Sequence, residues 1–457
     1  MIKKLKPYPQ YKDSGVPWLG KVPAHWEVFP NRALFVEIND QNNLNEQLLS
    51  VTINSGVIQQ RELLNVSSKK DSSRIDKSNY KLVMPGDIVY NKMRAWQGAI
   101  GLSQYRGIVS PAYVVQKPKY QESGRFFHYL FRTPLFIKEA ERWSYGITSD
   151  MWSLRPEHFK LIYSPLPPLP EQQAIVRFLD WAERRIRKAI RLRQRRIKLL
   201  QEYKQALIHQ AVTGQIDVRT GQPYQEYKDS GVEWLGKVPK HWEVVRLKYV
   251  ARLKSGESIT SENIEETGKF PVYGGNGLRG YTNAYTHEGE FVLIGRQGAL
   301  CGNINYASGK FWASEHAVVA QPKLKFSVRW FGELLRIMNL NQYSMAAAQP
   351  GLAVERIQNL KIPFPSIKEQ ETIDRFINEQ IVSFDAAIAA TRRAIELLKE
   401  LRTTLIAEVV TGKLDVREAA AQLPETPESE MEDLAEIEEE TPEPQEEEPL
   451  LQEEADD

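Results

Sequence analysis

Residues 171–219 recur as residues 369–417 with a constant offset of 198 and no gap, and 20 of the 49 aligned positions are identical. Whatever fold accommodates one copy must accommodate the other, so the chain is built around a duplicated element. Many of the shared positions are apolar: Ile175, Phe178, Ile190, Ile197, Leu199, Leu200, Leu207 and Ile208 answer Ile373, Phe376, Ile388, Ile395, Leu397, Leu398, Leu405 and Ile406. Within the first copy Ile186, Ile190, Arg193, Ile197, Leu200, Lys204 and Leu207 step by four and three. Phe384, Ile388, Thr391, Ile395, Leu398, Arg402 and Leu405 keep that rhythm in the second. Such spacing is the seam of a coiled coil, so each copy reads as one long helix and the two seams can cover each other. Pro170 and Glu171 suit a first helical turn, residues 366–369 form a capping box, and Gly214 and Gly412 follow as stops. A helix over 171–212 is roughly 63 Å long, the length of a ruler.

A second repeat precedes each half. Residues 11–28 return as 227–244 with only Pro17 changed to Glu233 and Ala24 to Lys240. This lead-in segment contains Gly15-x4-Gly20-Lys21 and Gly231-x4-Gly236-Lys237, a superficial match to a phosphate loop. Val22 and Val238 stand where a magnesium-binding hydroxyl is needed, so the segment reads as a turn pinned by Trp and Pro. His25 and His241, each followed by Trp, read as duplicated packing residues.

Between lead-in and helix, residues 29–165 and 245–363 show short apolar runs broken by Gly, Pro, Asn and Ser, with a helix predicted around 126–140. The two regions share a skeleton more than a sequence: Pro85-Gly86-Asp87-Ile88-Val89-Tyr90 answers Glu288-Gly289-Glu290-Phe291-Val292-Leu293, and Gln97-Gly98 answers Gln297-Gly298. Similar mounts therefore carry two different heads. On a duplex, different heads at a fixed separation would read an asymmetric, two-part sequence.

The formal net charge of +1 conceals an asymmetry. Of 59 acidic residues, 18 lie in 418–457, which has no Lys or Arg; the first 417 residues hold 60 basic and 41 acidic groups, a surplus of 19. A body this cationic favours a polyanion such as nucleic acid, without by itself choosing a sequence. The tail, 418–457, reads as a disordered, solubilising extension, or alternatively as a nucleic-acid mimic competing for the body. The one cysteine, Cys301, rules out an internal disulfide and a multi-cysteine zinc site, and fits a reducing cytoplasm. No run of eighteen apolar residues suggests a membrane span.

The repeated 18–26 and 234–242 motif (Trp-Leu-Gly-Lys-Val-Pro-x-His-Trp), the element 271–277 with Gly280 and Tyr281, and the 165–173 run (Pro-Leu-Pro-Pro-Leu-Pro-Glu-Gln-Gln) before a helix ending in Val-Thr-Gly closely resemble the specificity subunit of Type I restriction-modification systems. The resemblance covers essentially residues 8–417. It implies an α+β architecture: two mixed α/β target recognition domains, joined by two long antiparallel helices forming a coiled coil, with a pseudo-two-fold internal repeat. The expected division is 1–165 (lead-in and first head), 166–222 (first long helix), 223–363 (lead-in and second head), 364–417 (second long helix) and 418–457 (acidic tail). The implied partners are double-stranded DNA, two modification subunits that methylate adenine with S-adenosylmethionine, and restriction subunits that translocate and cut with ATP and magnesium. No cofactor is expected on this chain. The acidic tail lies outside the family pattern.

Specificity in such a protein comes from side chains at base edges, typically Arg to guanine and Asn or Gln to adenine, while Lys and Arg on phosphates supply affinity. In the first head the candidates are Asn91, Lys92, Arg94, Trp96 and Gln97, just past a predicted strand, with Ser144, Tyr145 and Ser149 in a second loop. In the second head they are Asn276, Arg279 and Tyr281, then Arg296 and Gln297, then Ser314 with His316. Nine basic residues and no acid occupy 184–198, and Arg184, Arg187, Arg191 and Arg195 recur at three- or four-residue steps, facing either a DNA backbone or a partner subunit. There is no methyltransfer motif, acceptable ATP loop, paired-histidine zinc motif or nuclease cluster, so the chain reads as non-enzymatic. The alternative is a protein-interaction or RNA-binding scaffold without DNA sequence specificity, which leaves the cationic body less explained.

Overall fold

The computed structural model describes residues 5–61, 76–120, 124–146, 151–298, 300–344 and 351–424. The chain forms two compact units, one of residues 1–194 with 393–457, the other of residues 195–392. Each long helix therefore contributes to both. The helices span Leu169–Thr213 and Ile367–Val410, starting and ending within a few residues of the duplicated signals. No described helix is long and apolar enough to cross a membrane.

In the first unit the lead-in is a hairpin, Tyr11–Asp13 against Lys21–Pro23. Its turn closes on itself, Ser14 N–H to the Gly20 carbonyl at 3.0 Å and Gly15 N–H to Asp13 Oδ1 at 2.9 Å, and both glycines take positive φ. This is turn chemistry rather than an anion cradle. Strand Glu27–Pro30 pairs with Tyr163–Leu166, so the two ends of the head meet at its base. The head is a four-stranded antiparallel sheet in the order Phe35–Ile38, Tyr113–Pro118, Ile88–Asn91, Ile100–Leu102, with two small two-stranded pairs beside it. Phe35, Tyr90, Phe126, Phe127, Phe131, Phe136 and Phe159 fill its core.

The single helix expected at 126–140 is two, Gly124–Phe131 and Pro134–Arg142. Pro134 cannot donate to the preceding turn, and Thr133 caps the second helix by accepting from the Phe136 N–H at 3.2 Å. The acidic tail also begins with order. Arg417–Ala421 is helical, Ala420 joins the first unit's core, and Leu423 is buried. A run of alanines has the helix propensity and the apolar surface that the tail's overall composition hides. Residues 425–457 lie outside the described residues.

In the second unit the lead-in hairpin repeats with the same register, Tyr227 opposite Pro239 as Tyr11 is opposite Pro23. Glu243–Arg246 pairs with Lys361–Phe364 at the base. The main sheet again has four antiparallel strands, ordered Ala251–Ser255, Ala317–Pro322, Phe291–Gly295, Ile304–Ala307. Ile88–Asn91 and Phe291–Gly295, which the sequence skeleton equates, hold the same third place in the two orders. What differs is attached to this frame: the second head adds a separate four-stranded sheet containing one parallel pair, Phe270–Gly274 with Lys310–Ala313.

All fourteen expected seam positions of the long helices are buried or half-buried, whereas Leu192, Leu199, Val382 and Leu397, off the seam, are more than half exposed. In the first unit Ile175, Phe178, Leu179 and Ala182 share a core with Leu405, Val409 and Val410. In the second, Ile208, Ala211 and Val212 share one with Ile373 and Ile377, and Lys204 pairs with Asp385 at 2.7 Å.

The lead-in histidines do more than pack. Glu171, in the first turn of its helix, receives Tyr8 Oη at 2.5 Å, His25 Nε2 at 2.7 Å and Trp26 Nε1 at 2.8 Å. Glu369 holds Tyr224 Oη at 2.8 Å and His241 Nε2 at 3.2 Å in the same way. A carboxylate is favoured at a helix N-terminus, and here it also fastens the lead-in to the helix. Burial, then the bond to the carboxylate, pushes Tyr8 and Tyr224 well above the ordinary phenol range, so both stay donors.

Candidate nucleic-acid interface

In the first head, strand Ile88–Asn91 delivers a tight loop. Asn91 Oδ1 accepts from the Met93 N–H at 2.9 Å, residues Ala95–Gln97 make one 3-10 turn, and Gly98 ends it at φ 102°. A Cβ at Gly98 would lie 3.1 Å from Ile137, so both φ and space call for glycine. Trp96 donates from Nε1 to the Met93 carbonyl at 2.8 Å and meets Trp152 edge-on at 5.4 Å. The Leu154 N–H reaches the Lys92 carbonyl at 2.9 Å. Tyr145 bridges to Ser153 and is 59% exposed. Residues 152–154 therefore tie Lys92 and Trp96 of this loop to Tyr145. Lys81, whose Nζ donates to the Tyr113 carbonyl at 2.8 Å, is held below the usual lysine range by burial, with Lys92 adding repulsion. Ser144 is buried with its hydroxyl on the Ala140 carbonyl at 2.7 Å, so it caps a helix and offers nothing to a ligand. Ser149 lies outside the described residues.

In the second head three loops converge on Gly275. A Cβ there would lie 3.2 Å from the His316 carbonyl and 3.5 Å from the Gln297 carbonyl. Asn276 is exposed and accepts from Asn303 Nδ2 at 2.8 Å; Arg279 is exposed, its stem lying over Gly274. Tyr281 is half-buried in the strand Gly277–Thr282 and exchanges backbone bonds with Glu265. Arg296 donates its N–H to the His316 carbonyl at 2.9 Å and its Nη1 to Ser255 Oγ at 3.2 Å, while Gln297 is exposed. His316 stands 3.2 Å from Glu315. Ser314 corrects an expectation: it is fully buried, and its hydroxyl accepts from the His316 N–H at 3.3 Å. Its place in a Ser-x-His turn made it look like a reader, whereas it shapes the turn.

Sequence reasoning missed Trp152 and Asn303, which complete these two surfaces. Both lie in irregular stretches with no strand rhythm, so only the fold brings them to the loops.

On the first long helix, Arg184, Arg187 and Arg191 fall in the first unit, with Arg187 exposed and paired to Glu183 at 2.6 Å; Arg195 is an exposed residue of the second unit. Among the described residues no group of three His, Cys, Asp or Glu could hold a metal. The candidate surfaces consist of amides, cations and aromatic rings in exposed turns, which suits binding to a polyanion and its bases.

Residues 239–399 match the family model described as Type I restriction modification DNA specificity domain. Over 125 residues, 26% of this chain and 31% of the relative, the chain is 46% identical to the Type I restriction enzyme EcoprrI specificity subunit of Escherichia coli. The aligned part thus spans about a third of that relative. A longer, weaker match, 24% over 342 residues, covers 68% of the chain and 75% of the Type I restriction enzyme MjaVIII specificity subunit of Methanocaldococcus jannaschii. The fold is similar to a chain from a structure described as complex assembly and conformational transition of the type I R-M system, with TM-score 0.65, 17% identity, and coverage of 86% of this chain and 99% of that one. It is also similar to the HsdS subunit from Thermoanaerobacter tengcongensis, with TM-score 0.51, 18% identity, and coverage of 86% and 98%. Over residues 239–399 by the family model, and over parts of its length by the relatives, the chain is similar to the specificity subunits of Type I restriction enzymes.

Proposed function

We propose that this chain is the non-catalytic DNA sequence-recognition subunit of a Type I restriction-modification complex, and that each head reads one half of an asymmetric bipartite site. The observation that carries this reading is the contrast within one chain: the same strand order and lead-in register in both heads, with different loops attached to equivalent strand ends. A shared frame with divergent reading edges is what two half-sites of different sequence require. Asn91, Lys92, Arg94, Trp96, Gln97 and Tyr145 would serve one half-site; Asn276, Arg279, Tyr281, Arg296, Gln297 and His316 the other.

The long helices pair antiparallel as a coiled coil in this reading, set the unread spacer and dock two modification subunits, with restriction subunits joining the complex. Glu183 with Arg402 in one unit and Lys204 with Asp385 in the other support the pairing, since the residue number rises on one helix as it falls on the other. Half-sites read from one face of the duplex favour centres about 10 base pairs apart, which a helix of roughly 63 Å can span. Arg184, Arg187, Arg191 and Arg195 would contact the DNA backbone or a subunit. S-adenosylmethionine, ATP and magnesium belong to the partner subunits.

Replacing residues 29–165 with the head of another specificity subunit tests the division of labour. Methylation sequencing should show one half-site changed and the other retained; a change in both halves, or in neither, contradicts it.

A further inference from the structure

The short helix Arg417–Ala421 has a seat, and the duplication provides that seat twice. In the first unit Ala420 enters the core, Leu423 is buried, and the Leu423 carbonyl accepts from Arg177 Nη2 of the long helix at 2.8 Å. Around it Val416 is fully buried, and Tyr8 and Glu171 are only 3% and 6% exposed. The equivalent residues of the second unit, Val218, Tyr224 and Glu369, are all half-buried. After Arg219 the chain supplies no helix: the Gly221 N–H returns to the Asp217 carbonyl at 2.8 Å, and Thr220, Gly221 and Gln222 stay exposed. What remains is a cleft of about 300 Å³ whose lining includes Val218, Tyr224, Lys368, Glu369 and Thr372. Thr372 and Arg375 stand on the second long helix where Ala174 and Arg177 stand on the first. The acids here are engaged, Glu369 by Tyr224 and His241, Asp217 by Arg219, Glu371 by Lys325 and Asp374 by Arg329. Lys368 and Arg375 are exposed and, among the described residues, pair with no carboxylate.

We propose that this cleft of the second unit is the docking site for a short helical segment of a partner protein. The segment is alanine-rich on the face it buries, is followed by a leucine whose carbonyl meets Arg375, and carries an acid for Lys368. Residues 417–423, Arg-Glu-Ala-Ala-Ala-Gln-Leu, show the pattern that the first seat accepts. This chain's own copy of that pattern is bonded in the first unit and held there by its tether, which favours the intramolecular seat over any other. The second seat is therefore left for another chain, and its two unpaired cations select an acidic one. The inference stands on the comparison of the two seats and not on the DNA-recognition reading.

The test titrates a fluorescein-labelled peptide of residues 415–424 with the full chain and reads anisotropy. A free peptide this short must form its helix on binding, so ratios between variants carry the result. Saturable binding is expected, weakened about tenfold by Thr372→Trp, which fills the cleft, and about threefold by Arg375→Ala, an exposed change that removes the bond to the carbonyl. The peptide carrying Leu423→Asp should bind about tenfold more weakly. No saturable binding, or binding that both Thr372→Trp and Arg375→Ala leave unchanged, would overturn the inference. Self-association of the full chain that rises with concentration and is abolished by Thr372→Trp would overturn it in favour of a second copy as the occupant. None of these readouts depends on whether the heads read a bipartite site.

Discussion

Arg402 of the second long helix donates to Glu183 Oε1 of the first, the same oxygen that Arg187 meets at 2.6 Å. Burial alone would raise this carboxyl, but Arg402 and Arg187 more than offset it and hold it below the usual carboxylate range. Its contribution to stability is therefore present above the ordinary carboxyl range and is lost as pH falls through the lowered value. Glu183→Ala leaves two guanidinium groups facing each other. With both arginines partly exposed, the expected cost is on the order of 1–2 kcal/mol, measured by urea unfolding at neutral pH. Glu396→Ala, which breaks the exposed pair with Lys399 at 3.2 Å, should change stability by less than about 0.5 kcal/mol.

His128 gives the first head an acid sensitivity. Its Nδ1 accepts from the Leu102 N–H at 3.1 Å, which requires the neutral ring, and burial, with Arg132 adding repulsion, pushes its pKa down to about 3. The unfolded chain takes up a proton below the ordinary histidine value while the folded one does not. Stability is therefore lost as pH falls from about 6.5 toward 3, by at most about 1.4 kcal/mol per pH unit. Unfolding midpoints across pH 7 to 4.5 should show this slope in the native chain, and His128→Gln should flatten it.

Residues 6–11 and 413–417, far apart in sequence, are held as though joined. Asp415 N–H donates to the Lys6 carbonyl at 2.8 Å, Tyr11 Oη to the Lys413 carbonyl at 3.2 Å, and Arg417 lies 5.1 Å over the Tyr8 ring. In the second unit the equivalent bond, Tyr227 Oη to the Gln215 carbonyl at 3.0 Å, forms within a continuous stretch. Joining Arg417 to Pro7 through Thr-Gly-Gln, the link that carries Arg219 to Pro223, and opening the chain between Gln222 and Pro223 should give a folded protein. Circular dichroism should show the parent's helix and strand content, with a thermal midpoint lowered by the loss of the buried Ala420 and Leu423 and of the Lys6 carbonyl.

Much of this was legible in the sequence, for particular reasons. The seam at Ile186, Ile190, Ile197 and Leu200 was readable because a helix repeats its burial every few residues, and duplication supplied a second reading of the same signal. The lead-in turn was readable because glycines at fixed places fix a turn type. Glu171 was read as a first-turn anion, but its anchoring of the lead-in was not, because Tyr8, His25 and Trp26 come from more than 140 residues away. Ser314 was misread for a related reason: a serine in a polar turn looks alike whether its hydroxyl meets a ligand or the chain. The break at Thr133 and Pro134 was written in the sequence and outweighed by the apolar run around it.

Single side chains in the second head separate reading from holding. Asn276→Ala and Arg279→Ala should each cost about 1–3 kcal/mol on the cognate site and relax one half-site only. Neutralising Arg184 and Arg191 should weaken binding across all sequences and flatten its salt dependence, leaving the recognised bases unchanged. Anisotropy titrations on cognate and half-substituted duplexes at two salt concentrations distinguish the outcomes.

The central claim, that this chain selects the DNA sequence its complex modifies, is tested most directly by single-molecule methylome sequencing of the host with and without it. The account predicts a modified adenine motif in two parts with an unread spacer, present with the chain and gone after its deletion. An unchanged methylome, with the modification subunit present and active, would contradict it.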